Sequence, residues 1–227
     1  SLPFGVFVSG MRLLDRHVAL FSGSLRTLLR RESDRRRCAE SPYAWLFQPY
    51  MGEELVALAC TVTPTACVPI ISLAAVVLSQ QQVHTSRAFV ITLGSTKQPE
   101  SATLRRHHLL CEAGAVLPPS SDNLGALVEF IGNRPIVGWQ LEKRIGALNA
   151  LLTKRLNFAL PNAQVDVAKL HQRQLRRLHP EVEAPSSFAQ ALACWQVPAI
   201  DVQSVLGEAT ASALLYMRLQ RIMAEVA

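Results

Sequence analysis

Between residues 55 and 86 the chain carries no Asp, Glu, Lys or Arg, although charged residues are common on both sides. An uncharged run of this length folds in one of two ways. It crosses a membrane, which takes roughly 20 consecutive apolar residues, or it forms buried strands joined by a turn. Pro64 and Pro69 fall inside the run, with Thr61, Thr63 and Thr65 around them, and split it in two. The pieces LVALACTV and IISLAAVVL are strand-sized, apolar and β-branched, the pattern of strands covered on both faces. The run therefore predicts a buried hairpin rather than a span.

The rest of the composition sets bounds. A chain of 227 residues suits one large domain, or one domain with an appendage. A hydrophobic share of 49% supports a sizeable core and excludes general disorder. The net charge of +6 favours a polyanionic partner only weakly, because dispersed arginine also serves as a solubilising surface. The cysteines at 38, 60, 67, 111 and 194 are odd in number and form no C-x-x-C pair. They suggest neither a zinc site nor a disulfide framework, and they point to a reducing, cytoplasmic setting. The opening SLPFGVFVSG lacks a basic leader region and is not read as a secretion signal.

Taken in order, residues 11–38 read as helical, with a break near Gly23, and residues 26–37 hold six arginines against Glu32 and Asp34. That basic face reads as a solvated helix surface. The aromatic segment SPYAWLFQPY follows as a connector packed onto the domain, so that residues 1–50 form an N-terminal helical segment and connector, and 51–227 the main domain. Strands are expected at 55–62, 70–78 and 86–93, forming an antiparallel meander. SATLRRHHLL reads as a short helix with a basic tip. Pro118-Pro119-Ser120 starts a helix through 124–131 that Gly132 closes. RPIVG is a short strand, and Leu141, Ile145, Leu148 and Leu152 share one face of the next helix. A short strand or helix entry at 165–167, a helix carrying His171 to His179, one from 187 to 195, and a long one from 204 to 226 complete the chain. Strands first, then alternating helices and strands, predict an α/β fold.

Several of these segments carry a resemblance. GEELVALACTVT is similar to a strand of the form V-x-x-D-x-E-T-T, and IISLAAVVL to a following strand I-x-x-I-G-A-V. PESATLRRHHL is similar to a segment leading to an H-G-I turn. FIGNRPIVGWQLEKRIGALNALL resembles F-x-x-x-x-x-L-V-G-H-N-x-x-F-D-x-x-x-L, and VQSVLGEATASALLYMRL resembles H-x-A-x-x-D-A-x-x-T-A. These motifs, in this order, belong to the DnaQ-like 3'–5' exonucleases, the DEDD family that includes the proofreading epsilon subunit of bacterial replicases. The resemblance spans roughly residues 52–219. It implies a ribonuclease H-like mixed sheet, three antiparallel strands then parallel additions, flanked by helices.

In that family four carboxylates hold two divalent metals, Mg²⁺ or Mn²⁺, about 4 Å apart for in-line displacement at phosphorus, and a histidine acts as general base. Hard cations of this kind take oxygen ligands, hence the carboxylates. Here the first Asp corresponds to Ala59 and the Glu to Thr61. The second-motif Asp corresponds to Arg144, the histidine to Gln203, and the last Asp to Glu208. The resemblance thus implies a pseudo-enzyme that lacks three of four ligands and the base, and no bound metal is expected. Arg144 would repel a dication and is expected to pair with Glu208 instead. No shift of alignment restores the first motif, because no acid lies between 55 and 86; Asp166 reads as a helix cap, and Asp201 sits away from the ligand positions.

The remaining polar clusters have plain structural readings. His107 and His108 beside Arg105 and Arg106 read as a surface turn, although the family places a loop near nucleic acid there. His171 and His179 lie on a polar, Arg-rich stretch without a metal-ligand pattern. Cys60 reads as an inert thiol in the central strand, and Trp139 as a plug in the former cleft rather than a surface on which a base stacks. Two functions of different class follow. One is a binder of single-stranded DNA or RNA, with Arg105, Arg106, His107, Arg173, Arg176 and Arg177 on phosphates. The other is an interaction or regulatory module, docking a protein partner or a second copy through its N-terminal segment or basic helix. An active metal-dependent exonuclease is the third reading. A membrane partner is not expected.

Overall fold

The computed structural model describes residues 25–63, 69–94, 116–183, 187–199 and 201–225. The uncharged run forms β1 (Leu55–Thr63) and β2 (Ile70–Leu78), paired antiparallel from Leu55↔Leu78 to Thr63↔Ile70. Every residue of β2 is buried, so the lack of charge follows from cover on both faces. β3 (Val83–Leu93) pairs antiparallel with β2 and starts three residues before its expected first residue, Ser86. Its polar beginning hides it from a hydrophobicity reading, and it passes a register irregularity between Val76 and Val77 of β2. β4 (Ile136–Gly138) lies parallel to β1, and β5 (Gln164–Asp166) parallel to β4. The order β3-β2-β1-β4-β5, three antiparallel strands and then two parallel additions, is a ribonuclease H-like mixed sheet.

Six α-helices among the described residues flank this sheet: α1 (Leu25–Arg37), α2 (Ser121–Ile131), α3 (Leu141–Leu156), α4 (Val167–Leu178), α5 (Phe188–Cys194) and α6 (Val205–Glu225). Alternation along β1 sorts them into two layers. Val56, Leu58 and Cys60 join α2 and α3 in one core, with Leu124, Leu127, Leu148 and Leu152. Leu55 and Ala57 join residues of α4, α5 and α6, and Ala59 packs with Val205 and Ala209 of α6. The sheet is thus the middle of three layers.

The helix ends are chemically specified. Ser120 accepts from the Asn123 N–H at 3.2 Å and starts α2, and Gly132 ends it at φ +63°. Ser187 caps α5 through the Gln190 N–H. Two of the hydroxyls buried inside the sheet, Ser72 and Thr92, lie opposite one another and bond at 3.1 Å, which satisfies both. The aromatic connector, including a short 3₁₀ turn (Ala44–Phe47), is built into the first core. Leu46 and Phe47 are buried, and the Tyr43 and Phe47 rings stand 5.3 and 6.1 Å from Phe158. Asp34 of α1 is buried too, accepting from the Ala159 N–H at 3.1 Å and from Arg37.

One sequence reading is corrected here. His171 does not sit on a polar surface: it is fully buried, and its Nδ1 accepts the Trp195 indole N–H at 2.7 Å. The buried positions of α4 are Val167, Ala168, Leu170, His171, Gln174 and Leu175. This is a helical stripe that the intervening arginines obscure in the sequence. Trp139 packs into the second core, 5.0 Å from the Phe188 ring and 6.0 Å from His171. At 4% exposure it has no face free for a base. Because His171 depends on the Trp195 donor, Trp195→Phe is expected to cost about 1–3 kcal/mol. Chemical denaturation compared with Phe188→Leu, which removes ring contact but no hydrogen bond, measures the polar part.

Candidate functional site

The C-terminal ends of the central strands bring together the positions that the sequence singles out. Ala59 is buried in β1 beneath Val205 and Ala209 and presents only a methyl group. Thr61, two residues on, is half-buried near the strand end. Arg144 lies in the first turn of α3, and Glu208 in the first turn of α6, on opposite layers of the sheet. Their side chains meet across the sheet end, where Arg144 Nη1 donates to Glu208 Oε1 at 2.5 Å. Gln203 is exposed in the turn before α6.

The electrostatics of this pair are asymmetric. The Glu208 side chain is 12% exposed and that of Arg144 34%. Burial raises the Glu208 carboxyl above the ordinary carboxylate range, more than the charge and hydrogen bond of Arg144 lower it. The neighbouring Cys60 thiol is pushed up to about 12 by burial, with Arg144 pulling it down and Glu208 pushing it up. It stays protonated at neutral pH and is not a nucleophile.

This donor set does not suit a divalent metal. A hard cation needs several oxygen ligands, carboxylates above all. Ala59 offers none, and the Glu208 carboxylate already faces a guanidinium. Among the described residues no three His, Cys, Asp or Glu side chains are grouped to hold an ion. Asp166 has a different task. Its Oδ1 accepts from the Gln140 N–H and the Ala168 N–H, both at 3.0 Å, so one carboxylate fixes the starts of α3 and α4. Gln140 is held in the left-handed region at φ +48°, an uncommon conformation for a side chain of its type. Burial raises the Asp166 carboxyl, and its backbone donors oppose the rise. The first of these bonds is not legible in sequence, because Gln140 and Asp166 are 26 residues apart.

The arginines of α4 are not part of this cluster. Arg173, Arg176 and Arg177 are exposed on α4. At 1.5 Å per residue they lie about 10–16 Å along the helix from Asp166. Arg105, Arg106 and His107, with the expected helix around them, fall outside the described residues. No helix among the described residues is long and apolar enough to cross a membrane. No protein-family model matches the chain, and none of the curated proteins matches it at a significant level.

Proposed function

We propose that this chain is a degenerate relative of the DnaQ-like 3'–5' exonucleases that acts by binding rather than by cutting. The observation that carries the reading is the 2.5 Å ion pair between Arg144 and Glu208 at the end of the central strand, beside an alanine where a metal ligand would stand. Two-metal chemistry needs a concentration of negative charge to hold two dications close together. Arg144 and Glu208 instead neutralise one another there.

The ligand proposed first is single-stranded nucleic acid in a cytoplasmic setting. Arg173, Arg176 and Arg177 on the exposed side of α4 would contact phosphates together with Arg105, Arg106 and His107. A second reading, a protein-interaction module, is favoured by a separate observation: Leu25, Leu28 and Leu29 of α1 are exposed at 72%, 54% and 63%.

Calorimetric titration with Mn²⁺, run beside a nuclease assay on labelled single-stranded DNA and RNA, tests the proposal. No metal uptake and no cleavage are expected. Binding of the same oligonucleotides should weaken with salt, log K falling about 0.7 per neutralised phosphate against log salt concentration. Cleavage that disappears in Glu208→Gln would overturn the pseudo-enzyme reading. Salt-insensitive or absent binding would leave the interaction module as the function.

A further inference from the structure

We infer that the first two turns of α1 are a docking element for a partner protein that presents a short apolar groove rimmed by carboxylates. The inference rests on the interaction-module reading, and it names the surface and the chemistry of its partner.

Residues 25–31 are all exposed, so the helix stands out from the domain before Asp34 fastens it through the Ala159 N–H. At 3.6 residues per turn, Leu25, Leu28 and Leu29 fall within about 100° of one another on the helix surface. Asp34, which faces the domain, is about 170° from their centre. The leucines therefore point away from the domain that Asp34 faces, and among the described residues nothing covers them. Spacing i, i+3, i+4 is the anchor pattern of a helix laid into a groove.

Charge narrows the partner. Arg26 and Arg31 flank the leucine stripe on its two sides, with Arg30 beside Arg26. None of the three has an ion pair among the described residues, whereas Arg35 and Arg36 are engaged by Glu32, and Arg37 by Asp34. A second copy of this helix would bring arginine against arginine, which disfavours self-pairing. Nucleic acid would satisfy the arginines but has no use for the leucines. An anionic bilayer would satisfy both, but Glu32 follows one turn after Leu28 and Leu29 on the same face. A flat membrane surface would meet that carboxylate directly, whereas a groove of limited length ends before it. An apolar groove with acidic walls satisfies all three features.

The test uses the full chain carrying a photoreactive benzophenone side chain at position 28, with the same group at the exposed Gln172 as control, expressed in its own cells. The expected result is one protein adduct at position 28 and none at 172. That adduct should fall at least tenfold on adding Arg26→Glu, Arg30→Glu and Arg31→Glu, and the purified partner should bind the parent chain at least tenfold more tightly than Leu29→Glu. Circular dichroism should show the helix retained in each variant. A crosslink within the same chain, a crosslink to a second copy, co-flotation with vesicles of phosphatidylcholine and 30% phosphatidylserine, or no adduct would each overturn the inference. None of these outcomes depends on whether the chain cleaves nucleic acid, so the docking surface and the pseudo-enzyme reading fail separately.

Discussion

Arg144→Met is expected to destabilise the protein strongly, and adding Glu208→Leu to it is expected to restore the stability. Breaking a buried ion pair from one side costs about 3–5 kcal/mol, because the remaining charge stays buried without a partner. The Arg144 side chain is one-third exposed, so water screens part of the loss and about 2–3 kcal/mol is the expected figure. In the double variant neither charge remains, and an apolar pair at the end of β1 should stand within about 1 kcal/mol of the parent or above it. Denaturant titration of the parent, both single variants and the double variant closes the cycle. A double variant that is less stable than Arg144→Met would mean that the pair is a net stabilising contact rather than a neutralised buried charge.

The pH dependence of the same site has a definite sign. The Glu208 carboxyl is raised in the folded protein, chiefly by burial. Between its unfolded and folded values the native state therefore binds more protons, and stability falls as pH rises through that window. The contribution is fully present below the unfolded value and lost above the folded one. Removing Arg144 takes away the influence that lowers the folded value, so the window widens upward. The Arg144→Met deficit should accordingly be largest at neutral pH and shrink on acidification, whereas Glu208→Gln should flatten this part of the profile.

Much of this site is legible in the sequence because its defining feature is an absence. A strand with no acid from residue 55 to 86 cannot supply a carboxylate, whatever its exact register. The burial of Ala59 under α6 is the physical counterpart of that statement. The caps at Ser120 and Ser187 and the turn at Gly132 are equally readable, because each is a local bond that its residue type dictates. The Arg144–Glu208 pair spans 64 residues, and only the alignment of two motifs brings it within reach of inference. The bond from His171 to Trp195 and the grip of Asp166 on Gln140 join helices that no local rule relates. The arginines around His171 disguise its buried face, and the polar start of β3 hides three residues of strand.

One further position near Glu208 is fixed by space alone. Gly207→Ala is expected to lower stability by about 2 kcal/mol, although alanine is the better helix former by about 1 kcal/mol. A methyl group at position 207 would lie 1.9 Å from the Asp201 carbonyl oxygen and 2.5 Å from its carbon. That carbonyl is backbone and is itself held, accepting the Ser204 N–H at 3.0 Å and the Ser204 hydroxyl at 2.9 Å. Ser204 in turn accepts the Gly207 N–H at 2.9 Å, so relief of the clash takes apart the cap of α6. Asp201 already sits at φ +49°, which leaves the turn little freedom to retreat. Gly146 supplies the opposite control: nothing lies within 4 Å of a methyl group there, and Gly146→Ala should stabilise the protein by up to about 1 kcal/mol. Because residue 207 precedes Glu208, displacing the turn also moves the carboxylate off Arg144. Gly207→Ala and Arg144→Met should therefore combine to less than the sum of their separate losses. Full additivity in thermal melts would mean that the turn before α6 does not hold the ion pair in place.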